Sequence, residues 1–308
     1  MLLRVVHETR YDYAPPVKTA QHMTHLKPAD SALQRLLSHR LEISPAPAQQ
    51  REAIDVYGNT RAFFSLQSRH DQLVVRARSL VETSVRVAVQ TSPAWEDVRE
   101  RSRYHRGAAY DPAAEFVFAS PYVPRHADFI AYARPSFTAR RPLLNAAREL
   151  MERIHADFEY ETEATDVGTP ARQAMQLRKG VCQDFAHVML ACLRSMGLPA
   201  RYVSGYLLTE PPPGKTRLVG SDASHAWVSV YVPAGESGAA GQWADLDPTN
   251  QRAPGEDYVT LATGRDYADV SPVRGVLHGG AKHKLRVAVT VSPIDPGSLE
   301  TGAAPTIA

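Results

Sequence analysis

The chain has 308 residues, 44% of them hydrophobic, and a formal net charge of only +2. That supports a sizeable core, in two domains or one large one with additions, and the weak charge without a long basic run speaks against nucleic acid as a partner. The two cysteines make no disulfide framework, no run of about 18 apolar residues offers a membrane span, and no zinc-type spacing of Cys and His offers a metal site; a cytoplasmic protein without metal or cofactor is expected.

Met1–His7 is too short an apolar stretch for a signal peptide and reads as the start of a strand. Strand signals fall at Leu2–Tyr11, Arg40–Ile43, Glu52–Tyr57, Arg61–Leu66 and Leu73–Val89. Tyr57-Gly58-Asn59-Thr60 supplies a hairpin turn. Residues 1–115 are therefore expected to form an antiparallel β-sandwich-like domain. Ser92–Pro142 is rich in Pro, Tyr and Arg and reads as an irregular connector, with Arg99–Arg106 as a solvated helix or loop. A second, α+β domain is expected over 116–294. Its first helix is Leu143–Phe158, with apolar residues at Leu143, Leu144, Ala147, Leu150, Met151 and Ile154. Another helix, around Pro170–Leu177, leads to a break at Gly180. His283–Val291 alternates as a late strand, and the Gly/Pro/Ala-rich stretch 295–308 is expected to fray.

Between the Gly180 break and that late strand lie the residues that carry chemistry. Cys182–Met196 reads as a helix, with Phe185, Val188, Met189, Cys192 and Met196 forming one apolar stripe and Gly197-Leu198-Pro199 as its stop. Cys182 thus lies in the first turn, where free N–H groups and the helix dipole favour a thiolate; Arg178 and Lys179 add positive charge nearby. Cys192 falls mid-helix on the apolar stripe and reads as core. The two cysteines are about 15 Å apart along such a helix, too far for a disulfide.

Ala223–Val232 reads as a strand with His225, Trp227 and Ser229 on one face and Ala226, Val228 and Val230 on the other. Gln242–Asp247 reads as its hairpin partner, joined through the Pro/Gly-rich 233–241 and ended by Pro248. With strands about 4.8 Å apart, Asp247 reaches one ring nitrogen of His225 while the other faces Cys182. A nucleophile, a base and a group that orients the base are the parts of thiolate catalysis. Each residue also has a plainer reading: a buried thiol, a sheet histidine and a turn-forming aspartate. The Cys182 N–H is a candidate oxyanion donor; Gln176 is a second one, although an ordinary solvent-facing helix residue is the favoured reading of it. Asp184, Tyr206 and Trp227 are candidate substrate-binding residues by nearness, with helix capping and sheet packing as their alternatives.

Four stretches in this order, Gly180–His187, Gly197–Tyr206, Ser224–Val228 and Asp247–Asn250, resemble the transglutaminase-like superfamily, in its bacterial branch of cysteine-peptidase-like proteins. Gly264–Gly275, Thr9–Tyr13 and Asp55–Asn59 resemble the same branch, so the likeness covers most of the chain. Ser224 stands where many relatives carry Gly or Ala. The resemblance implies Cys182 as nucleophile, His225 as general base and acid, and Asp247 as orienting residue. It also implies a papain-like core in which the Cys helix packs on an antiparallel sheet. The implied chemistry is acyl transfer on a peptide or amide substrate. Hydrolysis is expected, with transfer to an amine, or a non-enzymatic binding module on the same scaffold, as alternatives.

Overall fold

The computed structural model describes residues 1–85, 89, 91–103, 105–107, 110–209, 224–234, 241–279 and 282–295. The first six strands are β1 (Leu2–Val17), β2 (Thr19–Thr24), β3 (Gln34–Ser44), β4 (Gln49–Ile54), β5 (Thr60–Leu66) and β6 (His70–Thr83). A helical region follows: α1 (Trp95–Arg101), α2 (Ala127–Ala133), α3 (Leu143–Asp157), β7 (Glu159–Tyr160), α4 (Ala171–Leu177), β8 (Lys179–Gly180) and α5 (Cys182–Ser195). Then come β9 (Ala200–Leu207), β10 (Ser224–Val232), β11 (Gln242–Leu246), β12 (Tyr258–Gly264), α6 (Tyr267–Val270), β13 (Val273–His278) and β14 (Lys282–Pro293). The expected tail from 296 onward, the middle of the expected 233–241 hairpin and the last part of the expected Leu73–Val89 strand lie outside the described residues. Among the described residues no helix is long and apolar enough to cross a membrane.

Alternation drives the first unit. Leu3, Val5, Tyr13 and Val17 of β1 and Leu73, Val75, Ala77 and Val81 of β6 point inward and are buried. They meet Ala20, Phe64 and Leu66 from a second sheet in one core. The two four-stranded sheets run in the orders β14-β1-β6-β3 and β13-β2-β5-β4. This is the expected antiparallel sandwich, but its membership differs from the expected division at 115/116. β14 pairs with β1 along Leu3–Ala14, and β13 pairs with β2. The end of the chain therefore returns to the N-terminal sheets, and the second unit is inserted within the first. Such a pairing is non-local and leaves no local periodic signal.

The second unit is α+β, as expected. Its sheet is antiparallel in the order β11-β10-β9-β12. α5 packs on β9 and β10 and is itself covered by α2, α3 and α4. Ala226, Val228 and Val230 of β10 face this helical layer in one core with Val188, Met189 and Cys192. Trp227, on the opposite face, packs with Val203 and Tyr258.

The two units are joined at the β12 edge. The Gln34 amide donates to Thr260 O at 2.8 Å and accepts from Thr260 N–H at 2.7 Å. Asn59 does the same with both backbone groups of Thr263. The two amides thus stand in for a neighbouring strand and satisfy an edge that otherwise invites pairing. The stretch Gly264–Gly275 belongs to this joint as well. Arg265 pairs with Asp269 at 2.9 Å, and Asp266 caps α6 through the Ala268 N–H.

Candidate active site

Cys182 opens α5. The chain reaches it through β8, which pairs in parallel with β7, and through Val181, extended at φ −108°. Asp184 turns back on this entry: its Oδ2 accepts from the Val181 N–H at 2.8 Å and the Thr165 hydroxyl at 2.7 Å. Gly180 has φ +156°, and a Cβ there would overlap the Asp184 carboxylate, so this approach requires glycine. Asp184 is buried, and burial pushes its pKa up against the hydrogen bonds from Thr165 and Val181. It is therefore the cap of the Cys helix and not a wall of the substrate site. Arg178 and Lys179 are also engaged elsewhere. The Arg178 guanidinium lies over the rings of Tyr132 and Phe158, and Lys179 pairs with Glu161 and Glu159.

The Cys182 thiol lies 3.9 Å from the Ser224 carbonyl oxygen, at the start of β10. The next residue, His225, is near enough for the Cys182 side chain to raise its pKa. His225 Nε2 lies 2.6 Å from Asp247 Oδ2, which leaves Nδ1 for the thiol. Burial works against a protonated imidazole here. The Asp247 hydrogen bond and the Cys182 side chain outweigh it and raise His225 from 6.5 to about 10. A protonated imidazole between the carboxylate and the thiol is the state this arrangement favours for His225.

Asp247 is fully buried and takes donors on every side. Its Oδ1 accepts from the N–H groups of Thr249, at 2.9 Å, and Asn250, at 3.2 Å. Its Oδ2 accepts from His225, from Asn250 Nδ2 at 2.8 Å and from the Tyr258 hydroxyl at 2.7 Å. Burial alone would raise its pKa, but the His225, Asn250 and Tyr258 bonds hold it below the usual carboxylate range. Asp247 thus accepts from the turn that follows it and also holds His225 Nε2.

The remaining candidates separate. Trp227 is buried beneath the site, its ring T-stacked on Tyr258 and 6.2 Å from that of His225. Gly205 pairs with His225 in register, and a Cβ on it would overlap the Trp227 ring and the Val259 carbonyl oxygen. Trp227 is thus a floor under the histidine, with no exposed surface for a substrate. Tyr206 faces the other unit: it lies in the sandwich core, and its hydroxyl is 3.0 Å from His7 Nδ1. Gln176 sits on the exposed face of α4. His187 is buried, accepts the Tyr267 N–H at 3.2 Å and is pushed down to about 3 by burial and then by Arg194; it is a neutral packing residue.

Sequence reasoning missed Asn250 and Tyr258. Asn250 stands in the Asp-Pro-Thr-Asn turn, and its distance of three residues from Asp247 was the available signal. Tyr258 has no such signal, because only the pairing of β12 with β9 brings it beside β10. Three further tyrosines, Tyr160, Tyr202 and Tyr267, have their phenols raised, first by burial and then in part by the Cys182 side chain. Among the described residues no group of three or more His, Cys, Asp or Glu side chains is placed to hold a metal ion.

Comparison with known proteins gives the family and the fold. Residues 3–82 match the model of the bacterial transglutaminase-like N-terminal region, and residues 130–248 match that of the transglutaminase-like superfamily. A Mycobacterium tuberculosis protein named as uncharacterized is 40% identical over 304 residues, covering 96% of this chain and 94% of its own. A protein-glutamine gamma-glutamyltransferase of Pseudomonas aeruginosa is 37% identical over 105 residues, 32% of this chain and 15% of that protein. The fold is shared with a candidate cysteine protease from Cytophaga hutchinsonii, at a TM-score of 0.72 and 19% identity, over 96% of this chain and 92% of that one. The chain belongs to the transglutaminase-like superfamily.

Proposed function

We propose that this chain catalyses cysteine-dependent acyl transfer on an amide or peptide bond, with water as the acceptor. The observation that carries the reading is His225 held between the buried Asp247, at 2.6 Å, and Cys182. In the scheme, the Cys182 thiolate attacks the carbonyl carbon and forms the S–C bond, while the π pair moves to oxygen. The Cys182 N–H, in the first turn of α5 where N–H groups lack intrahelical acceptors, serves as donor to that oxyanion. The C–N bond then breaks as the His225 imidazolium protonates the leaving nitrogen. His225, now neutral, takes a proton from water as it attacks the thioester, and the thiolate leaves with the acid product. Asp247 keeps the ring oriented and stabilises its charged form throughout.

A second reading replaces water with an amine. The likeness of a third of the chain to a protein-glutamine gamma-glutamyltransferase favours it. Small peptides and amides are the substrates to screen, each with and without an added primary amine. Release of acid regardless of the amine supports hydrolysis; incorporation of the amine supports transfer. Cys182→Ala is expected to abolish either activity with the fold intact, and normal turnover in that variant refutes the scheme. A folded protein that turns over nothing and yet captures a protein partner would point to a binding module. The proposed compartment is the cytoplasm, in keeping with two free cysteines.

A further inference from the structure

We infer that Tyr258 is a positioning residue of the catalytic centre: its hydroxyl holds Asp247 Oδ2 and limits how strongly that oxygen draws the His225 proton. The inference rests on the Cys182–His225–Asp247 reading and extends it to β12. Asp247 Oδ2 is shared among three side-chain donors, His225 Nε2 at 2.6 Å, the Tyr258 hydroxyl at 2.7 Å and Asn250 Nδ2 at 2.8 Å. A carboxylate oxygen that already accepts charge-assisted bonds is a weaker partner for each added donor. Two donors besides the imidazolium therefore temper the pull on its proton. An acid catalyst that must give its proton to a leaving nitrogen benefits from that restraint.

The surroundings fix the tyrosine as a neutral donor. Tyr258 is fully buried, and burial, then the Asp247 charge, push its phenol well above the ordinary value. Its ring packs edge-on against Trp227 and 5.9 Å from His225. On its other side the Arg252 guanidinium sits 4.7 Å from the ring centroid, itself paired with Asp257. The charged and titratable groups that face this set are thus Cys182 from α5, His225 from β10, Asp247 and Arg252 from the turn after β11, and Asp257 and Tyr258 at the start of β12.

The test is carbon-13 histidine NMR on the full chain, with the His225 resonance assigned by its loss in His225→Ala. In Tyr258→Phe, which keeps the ring, the His225 titration is expected to move up by about one pH unit. The imidazolium then persists at about pH 10.5, where the wild-type ring has largely lost its proton. Asn250→Ala removes another donor from the same oxygen and is expected to shift the titration in the same direction, so the idea remains testable if one variant folds poorly. Unchanged His225 titration in both folded variants overturns the inference and leaves the triad standing. A wild-type His225 that titrates near 6.5 overturns the triad reading and this inference with it.

Discussion

Asn59 closes both backbone groups of Thr263: its Nδ2 donates to the carbonyl at 2.8 Å and its Oδ1 accepts from the N–H at 2.8 Å. The same amide donates to Asp55 Oδ2 at 2.9 Å. A side chain of the sandwich thereby completes the edge of the sheet that carries the candidate site. Asn59→Ala leaves these groups without partners inside a joint, and is expected to cost about 1–3 kcal/mol. Urea denaturation checks this, and an unchanged midpoint would show that water replaces the amide without cost.

Gly180 is a point where backbone and helix cap collide if a methyl group is added. Gly180→Ala places a Cβ against the Asp184 carboxylate and requires an L-residue at φ +156°. Loss of the cap costs about 1 kcal/mol and moves the first turn of α5, so slower modification of Cys182 is expected together with a lower melting temperature. Wild-type modification rates in the variant would separate the cap from the thiol's setting.

Acid should unfold this protein earlier than the carboxylates alone predict. Burial lowers His7 and His22 from 6.5 to about 4, and His187 to about 3 with Arg194 adding to the shift. His22 also feels His70. A histidine whose folded pKa lies below its unfolded one contributes stability that is full above about 6.5 and is lost as pH falls. Each neutral histidine should remove about 1.4 kcal/mol per pH unit between 6.5 and its folded value. His225 has the opposite sign: its stabilisation is full below 6.5 and is lost as pH rises towards about 10. Urea midpoints measured from pH 7 to 4.5 should fall steeply, and a flat profile would contradict the neutral, buried state of these rings.

Asp247→Asn keeps the shape of the third residue and removes its charge. Without that charge His225 loses the larger of the two partners that raise it, and in the proposed scheme Cys182 loses the imidazolium that activates it. Alkylation of Cys182 at pH 6 is expected to slow by about 100-fold, to the level of an unactivated thiol. A change of less than about threefold would mean that Asp247 serves the turn before Pro248 and little else.

The local parts of this molecule could be read from its sequence. The apolar stripe of Phe185, Val188, Met189 and Cys192 gives α5 to within a residue, and alternation in β10 sorts Trp227 from Val228 correctly. Properties set by distant pairing could not be read this way. The return of β13 and β14 to the first two strands is invisible to a window of a few residues. Tyr206 looked close to the site by its nearness to the triad, and it does pair with Ser224, but its face of β9 belongs to the sandwich core. Asp184 had two readings of equal local merit, and only the position of Val181 and Thr165 around its Oδ2 selects the cap.

The most direct test of the central claim is iodoacetamide labelling of Cys182 and Cys192 across pH, followed by peptide mass spectrometry in wild type and His225→Ala. Burial pushes the Cys192 thiol up and keeps it slow, so it serves as the control within the same chain. The account predicts rapid labelling of Cys182 near pH 6 that is lost in His225→Ala while Cys192 stays slow in both. Labelling of Cys182 only near pH 8.5, indifferent to His225, would contradict it.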